Sequence, residues 1–209
     1  MNEMRFEVVT EPFEHIIIHD VFSPEQLKNV WTEIEFLHPR LLRVGDNGFD
    51  GGSAKDDNGG LLKKNRALGL HDIYNFQTNV SYILEYLVKL FHDEDLAKLA
   101  TYESGYYYRL YTKARTYYFH LQYYENDDGY KSHKDVSIFT NSLILYKDPK
   151  NFEGGDLVFD EYDNYTIPCE TNKMIMFPSV LNHAVTPIKM LTDEPMTGRY
   201  SITTFQNIK

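Results

Sequence analysis

The 209-residue chain has one cysteine, Cys169, so neither an intrachain disulfide nor a cysteine-built zinc cluster is available to it. Its neighbours, Pro168 and Glu170, do nothing to activate a thiolate, and an ordinary partly buried cysteine is expected. Long apolar runs are missing too. No stretch approaches the ~20 apolar residues that a membrane helix needs, and the first five residues lack the basic flank and apolar run of a signal peptide. A soluble, cytoplasmic protein with no membrane partner is expected. Positive charge is scarce, with 21 Lys and Arg against 31 Asp and Glu, a net charge of −10. Wrapping a phosphate backbone relies on dense cations, so this balance argues against nucleic acid as a partner.

Aromatics are plentiful instead, 17 Tyr and 13 Phe, and such side chains suit pleated, half-buried strands. The length fits one domain over 1–209, with a helical support region at about 20–104 and a β-rich core at about 105–209. Glu14–Asp20 carries Ile16, Ile17 and Ile18 in a row and reads as a buried strand. Ser23, Pro24 and Gln26 make a helix start, with Ser23 as cap, Pro24 in the first position and Gln26 closing a capping box. Leu27, Val30, Trp31, Ile34 and Leu37 then recur at helical period until Pro39. Residues 44–60 hold so much Gly, Asp and Asn that no period survives; the segment is either a solvated connector or a lid over a pocket. Lys63, Lys64, Asn65 and Arg66 read as a solvated charge run, with attraction of an anionic partner as the alternative. Val80, Ile83, Leu84, Leu87, Val88 and Phe91 predict a second helix, and a short third is expected around Asp95–Tyr102.

Beyond residue 105, short aromatic or β-branched segments alternate with turn residues. They lie near 106–111, 116–124, 137–146, 155–160, 163–168, 173–178, 182–188 and 199–206. Helices first and short strands second indicate an α+β chain with a sandwich or jelly-roll core.

Within that core, His133 and Asp135 stand two apart, and in extended backbone such residues project from one face. An imidazole and a carboxylate can then reach one metal ion while Lys134 points elsewhere. His183, after the apolar run Met174–Phe177, supplies a third ligand from a different strand. Two histidines and one carboxylate form the facial triad of non-haem Fe(II), whose open positions admit a bidentate cosubstrate and dioxygen. The other histidines (His15, His19, His38, His71, His92 and His120) read as structural or solvated, although His120 shares a strand face with Gln122 and Tyr124. Near the end, Arg199 and Ser201 again obey strand parity. A guanidinium grips a carboxylate bidentately and a hydroxyl adds a third hydrogen bond, which suits a dicarboxylate held at its far end while its keto-acid end chelates metal.

In these features Tyr124–Ser201 resembles the 2-oxoglutarate/Fe(II) oxygenase superfamily, and within it the prolyl 4-hydroxylase-like branch. The shared pattern comprises Tyr124, Tyr130, His133 and Asp135. It continues through a hydrophobic strand ending at Tyr146, then Phe152-Glu153-Gly154-Gly155-Asp156, then Phe177, Pro178, Ser179, His183, Val185 and Pro187. The resemblance implies a double-stranded β-helix (jelly roll) with flanking N-terminal helices. It implies Fe(II), 2-oxoglutarate and dioxygen as cofactor and cosubstrates, with Tyr124 hydrogen-bonding 2-oxoglutarate beside Arg199 and Ser201. Tyr130 lines the site or merely packs, and Gly154 and Gly155 serve a tight turn. The reaction implied is hydroxylation of an unactivated C–H bond, since Asp135 fills the position that halogenases leave to chloride. A peptidyl proline is the implied substrate; a free amino acid or other small metabolite is the alternative. Two departures stand out. Collagen-type prolyl 4-hydroxylases carry Lys where this chain has Arg199, and Lys189–Thr197 reads as an extra loop able, like 44–60, to shape a substrate pocket.

Two other classes remain open at this point. His133, Asp135 and His183 suit a zinc hydrolase with an open position, though no general base is evident and Arg199 is left without a role. A jelly-roll binding module without catalysis is the other.

Overall fold

A computed structural model describes residues 3–208. The chain begins with β1 (Arg5–Val9) and β2 (His15–His19), then α1 (Pro24–Leu37), β3 (Leu42–Arg43), β4 (Lys63–Lys64) and β5 (Arg66–Gly69). Helices α2 (Leu70–Tyr74), α3 (Tyr82–Phe91) and α4 (Glu94–Lys98) follow. The remainder is mostly strand: β6 (Thr116–Tyr124), β7 (Gly129–His133), β8 (Phe139–Leu145), β9 (Phe152–Glu153), β10 (Leu157–Phe159) and β11 (Tyr165–Ile167). Last come β12 (Lys173–Pro178), β13 (His183–Val185), β14 (Lys189–Met190) and β15 (Arg199–Asn207). Among the described residues no helix is long and apolar enough to cross a membrane.

Eight strands form a major sheet in the order β1-β2-β12-β8-β15-β6-β5-β3, and five form a minor sheet, β11-β10-β13-β7-β4. Strand parity divides the core between the two faces of the major sheet. Leu143, Leu145, Met174, Met176, Tyr123 and Ile202 join the residues of α1 and α3 in one cluster. Their neighbours Ile144, Ile175, Phe177 and Tyr124 join Leu157, Phe159 and Val185 of the minor sheet in the other. Sheet faces sheet on one side and helices cover the other, which is the expected jelly roll with flanking helices.

Helix α1 starts as its sequence predicts. The Ser23 side chain accepts from the Gln26 amide and the Gln26 side chain accepts from the Ser23 amide. Glu33, a charge on its inner face, is buried and accepts from the Ser81 hydroxyl (2.6 Å) and the Ile83 amide (3.0 Å), which ties α1 to the start of α3. Val80, expected on the apolar stripe of α3, lies instead in the turn before it and is exposed; Ser81 is the cap.

Three further expectations fail. Residues 106–111, read as a strand, lie in a 3-10 helix, Tyr106–Lys113. Tyr108 and Tyr111, three apart, are both fully buried there, and a helix of three residues per turn puts them on one side. A strand of aromatics would have buried alternate residues, and the sequence alone does not separate the two patterns. The second failure is the charge run at 63–66: Lys63 is buried, only 4% exposed, and Asn65 is fully buried. The short strands β4 and β5 draw this segment into the two sheets. The third concerns the extra loop Lys189–Thr197. It begins with β14 pairing to β9 and runs along the outer side by Tyr123 and Glu125, so it does not line the cavity described below.

Candidate active site

The minor sheet aligns the two histidines. Strand β13 pairs antiparallel with β7 so that His183 lies directly opposite His133, and the register shifts immediately afterwards, Val185 facing Tyr130. The Nδ1–H of His133 donates to the Lys131 carbonyl (2.9 Å) and that of His183 to the Leu181 carbonyl (2.9 Å). A carbonyl can only accept, so Nδ1 carries the hydrogen in each ring and Nε2 is the nitrogen directed inward, the one available to a metal in the neutral form. Both face Asp135: His133 Nε2 is 3.5 Å from Oδ1 and His183 Nε2 is 3.3 Å from Oδ2. One ligand atom from each residue lies within 4.8 Å of the other two, a spacing that could hold a metal ion. Lys134 points away to Glu161.

Neighbouring groups fix these side chains. Thr140 on β8 donates to Asp135 Oδ2 (2.6 Å), and its hydroxyl meets that of Ser179 (2.9 Å), which in turn meets Ser137 (2.6 Å). Tyr130 stacks on the His133 ring with centroids 3.5 Å apart, and its hydroxyl accepts from the Ala54 amide (2.7 Å), so it both lines the site and holds the 44–60 loop. Phe177 meets the His183 ring edge-on at 4.8 Å. Burial pushes the His133 pKa down, as suits a neutral ligand. Burial pushes the Asp135 carboxyl up, but hydrogen bonds and charge interactions with His133 and His183 more than reverse this, holding it well below the usual carboxylate range.

The triad opens into a small cavity lined also by Gln122, Tyr124, Ser142, Arg199, Ser201 and Thr203. The pairing of β15 with β6 sets Arg199 opposite Tyr124 and Ser201 opposite Gln122, with all four on the cavity side. Arg199 is fully buried, its guanidinium 5.0 Å from the Tyr124 ring centroid. None of its three guanidinium nitrogens has a hydrogen-bond partner among the described residues. Gly155, at φ +79°, makes room for it: a Cβ there would lie 2.8 Å from Arg199 Cδ. Ser201 is held only by long contacts of 3.4 Å to Ser142 and Thr203. The Tyr124 hydroxyl donates to Gln122 Oε1 (2.6 Å), an oxygen that also accepts from Asn65 Nδ2 (3.0 Å). Burial raises the Tyr124 pKa to about 12, against the pull of Arg199.

A buried, unpartnered guanidinium costs folding free energy unless something arrives to accept from it. The donor set around it (Arg199, Ser201 and Tyr124) and the N/N/O triad nearby fit a dicarboxylate and a ferrous ion respectively.

Other residues at the site carried weaker sequence signals. Arg43 forms a bidentate pair with fully buried Asp128 (2.7 and 2.5 Å), which also accepts the Glu125 amide and so pins the turn between Tyr124 and His133. His120 faces an outer vestibule rather than solvent, with Tyr118, Tyr130, Phe205 and Asp135. Burial lowers its pKa to about 4, with Lys63 and His71 adding to the effect. Lys63 donates to the Gly51 carbonyl (2.8 Å), and burial lowers its pKa to about 8 against the attraction of Asp135 and Asp50. Gly51 and Gly52 belong to the 44–60 loop, and Gly52 lines both the cavity and the vestibule, so this loop covers the site. Parity along β6 pointed to Gln122 and His120; nothing local pointed to Lys63.

No curated protein matches the chain in sequence. Solved structures share its fold at low identity. A Pseudomonas putida prolyl-4-hydroxylase is 14% identical, with TM-score 0.60, over 91% of each chain. A Trichoplax adhaerens prolyl hydroxylase, in complex with a hypoxia inducible factor oxygen degradation domain peptide fragment, is 12% identical with TM-score 0.57, over 92% of this chain and 82% of that one. A viral collagen prolyl hydroxylase from Paramecium Bursaria Chlorella virus-1, in a 2OG complex, is 12% identical with TM-score 0.50, over 92% and 94%. Residues 119–207 match the 2OG-Fe(II) oxygenase superfamily in sequence. That match falls on the very strands that carry the triad, so residues 119–207 are similar in sequence to the 2OG-Fe(II) oxygenase superfamily and the chain shares the fold of the prolyl-4-hydroxylase structures.

Proposed function

We propose that His133, Asp135 and His183 hold the Fe(II), that Arg199, Ser201 and Tyr124 hold 2-oxoglutarate, and that the enzyme hydroxylates an unactivated C–H bond. The observation that carries this reading is Arg199, an unpartnered guanidinium sealed in the same cavity as the triad. When bound, the metal and cosubstrate supply dioxygen activation coupled to loss of CO2 and formation of succinate.

The chain's own residues do the rest. Two imidazoles locked by backbone carbonyls and a carboxylate locked by Thr140 present a preset donor face. Arg199 fixes the far carboxylate of the cosubstrate. Tyr124 turns its hydroxyl hydrogen toward that carboxylate while Asn65 keeps Gln122 Oε1 satisfied. Phe177 and Tyr130 pack against the two imidazoles and exclude water from them.

A peptidyl proline is the substrate supported by the names of the fold relatives. A small acid, such as a free amino acid, is supported by the loop closed over the cavity and by Lys63 within it. Protein purified without oxygen and loaded with Fe(II) should convert 2-oxoglutarate to succinate, and a substrate should gain one oxygen atom in mass. Tight zinc binding with hydrolytic turnover, and no succinate, would replace this reading by the hydrolase.

A further inference from the structure

Lys63 is a cation for which the metal and cosubstrate reading has no use. Strand β4 sets it opposite Tyr130, and its ammonium stands 5.1 Å from the centroid of that ring, which in turn stacks on His133. The side chain is almost wholly buried, yet it forms no ion pair among the described residues, and its one hydrogen bond goes to the Gly51 carbonyl. An ammonium has three N–H groups, so two have no acceptor among the described residues. Burying a charge so poorly compensated is costly, and such groups persist where a ligand completes them.

It lines the same cavity as Arg199 but has different neighbours. The guanidinium lies against Tyr124, Gly155 and Cys169, deep between the sheets. Lys63 touches the covering loop, and the charges that act on it or feel it are Asp135, Asp50 and His120. His120 and Asp135 both line the vestibule, which shares Gly52, Tyr130, Asp135 and Phe205 with the inner cavity. The two cations therefore stand at different places in one cavity, Arg199 against Tyr124 and Gly155, and Lys63 beside the covering loop and Tyr130, whose ring stacks on His133.

Building on the oxygenase reading above, we infer that Lys63 is a specificity-determining residue that binds a carboxylate of the substrate, so that this enzyme acts on a carboxylate-bearing molecule. The covering loop contributes by orienting the ammonium through Gly51.

The test uses the protein loaded with Mn(II) and 2-oxoglutarate, with acetate and acetamide as probes and enhanced relaxation of their methyl protons by the metal as the readout. Acetate should bind saturably and acetamide should not. Lys63→Met should weaken acetate by about tenfold or more, the worth of a charge-assisted hydrogen bond, with 2-oxoglutarate affinity changed less than about twofold. Lys63→Arg should retain acetate, and Lys63→Gln provides a second neutral variant should methionine disturb folding. Equal binding of acetate and acetamide, or of acetate to wild type and Lys63→Met, overturns the inference. Weakened 2-oxoglutarate binding in Lys63→Met overturns it as well, by making the lysine a cosubstrate ligand. Failure of the wild-type protein to bind Mn(II) and 2-oxoglutarate at all would instead remove the oxygenase reading beneath it. Stimulation of succinate release by free amino acids or by Asp- and Glu-containing peptides, each against its amide counterpart, then identifies the source of the carboxylate.

Discussion

Replacing Arg199 by methionine should make the unliganded protein more stable while abolishing its response to 2-oxoglutarate. All three guanidinium nitrogens are buried with no hydrogen-bond partner among the described residues, and the residue is fully inaccessible. An unsatisfied buried polar group costs ~1–3 kcal/mol and more when charged. Exchange of buried ionic groups for apolar ones is known to gain ~1–4 kcal/mol. Methionine is shorter than arginine, and the void it leaves takes back ~1 kcal/mol. The net expectation is a gain of about 0–3 kcal/mol, at about 2–4 °C in Tm per kcal/mol for a chain of this length. Ligand linkage works the other way. With Mn(II) present and 2-oxoglutarate at a hundred times Kd, the wild-type protein gains ~2.7 kcal/mol. Loss of two charge-assisted hydrogen bonds lowers affinity at least about a hundredfold, so the same ligand concentration should stabilise R199M by less than ~0.5 kcal/mol. Thermal unfolding followed by circular dichroism, with and without metal and ligand, gives both numbers in one series. A less stable unliganded R199M, or an undiminished ligand shift, would refute the reasoning.

Thr140→Val removes the hydroxyl that orients Asp135 and should weaken metal binding by ~10–100-fold with little loss of fold, measurable by competition with a chelating dye. Gly155→Ala forces a Cβ against Arg199 Cδ and Ile188 Cδ1 at a positive φ; it should cost about 1 kcal/mol or more in stability and raise the KM for 2-oxoglutarate more than it lowers kcat. His120 gives a pH signature. Its buried imidazole titrates at about 4 against an ordinary 6.5, so below 6.5 the unfolded chain takes a proton that the folded one refuses. Stability should therefore fall as pH drops from 6.5 to 4, by up to about 3 kcal/mol from this group. Denaturant titrations of His120→Gln should show a shallower acid slope; an unchanged slope would exclude His120 as its source.

Much of this molecule was legible because its signals are local. The Ser23/Gln26 box, the stripe from Leu27 to Leu37 and the strand of Ile16–Ile18 each need only neighbouring residues to be read. Parity placed Arg199 with Ser201, and Gln122 with Tyr124, on shared faces, which the pairing of β15 with β6 bears out. The 3-10 helix at Tyr106–Lys113 was not legible, because a run of tyrosines fits a period of two or three equally well until the partners of Tyr108 and Tyr111 are known. Lys63 was misread for a related reason. Its burial follows from β4 joining β7, a two-residue strand whose pairing is dictated by tertiary structure and not by its own sequence. Arg43 and Asp128, 85 residues apart, likewise become a pair only once the sheets have formed.

The direct opposition of His133 and His183 across β7 and β13 is followed at once by a slip in register. A displacement of either strand by one residue turns its imidazole to the other face. The alignment of this one strand pair is therefore what keeps both rings on one side of the minor sheet, and a substitution that shifts it would part them without touching either histidine.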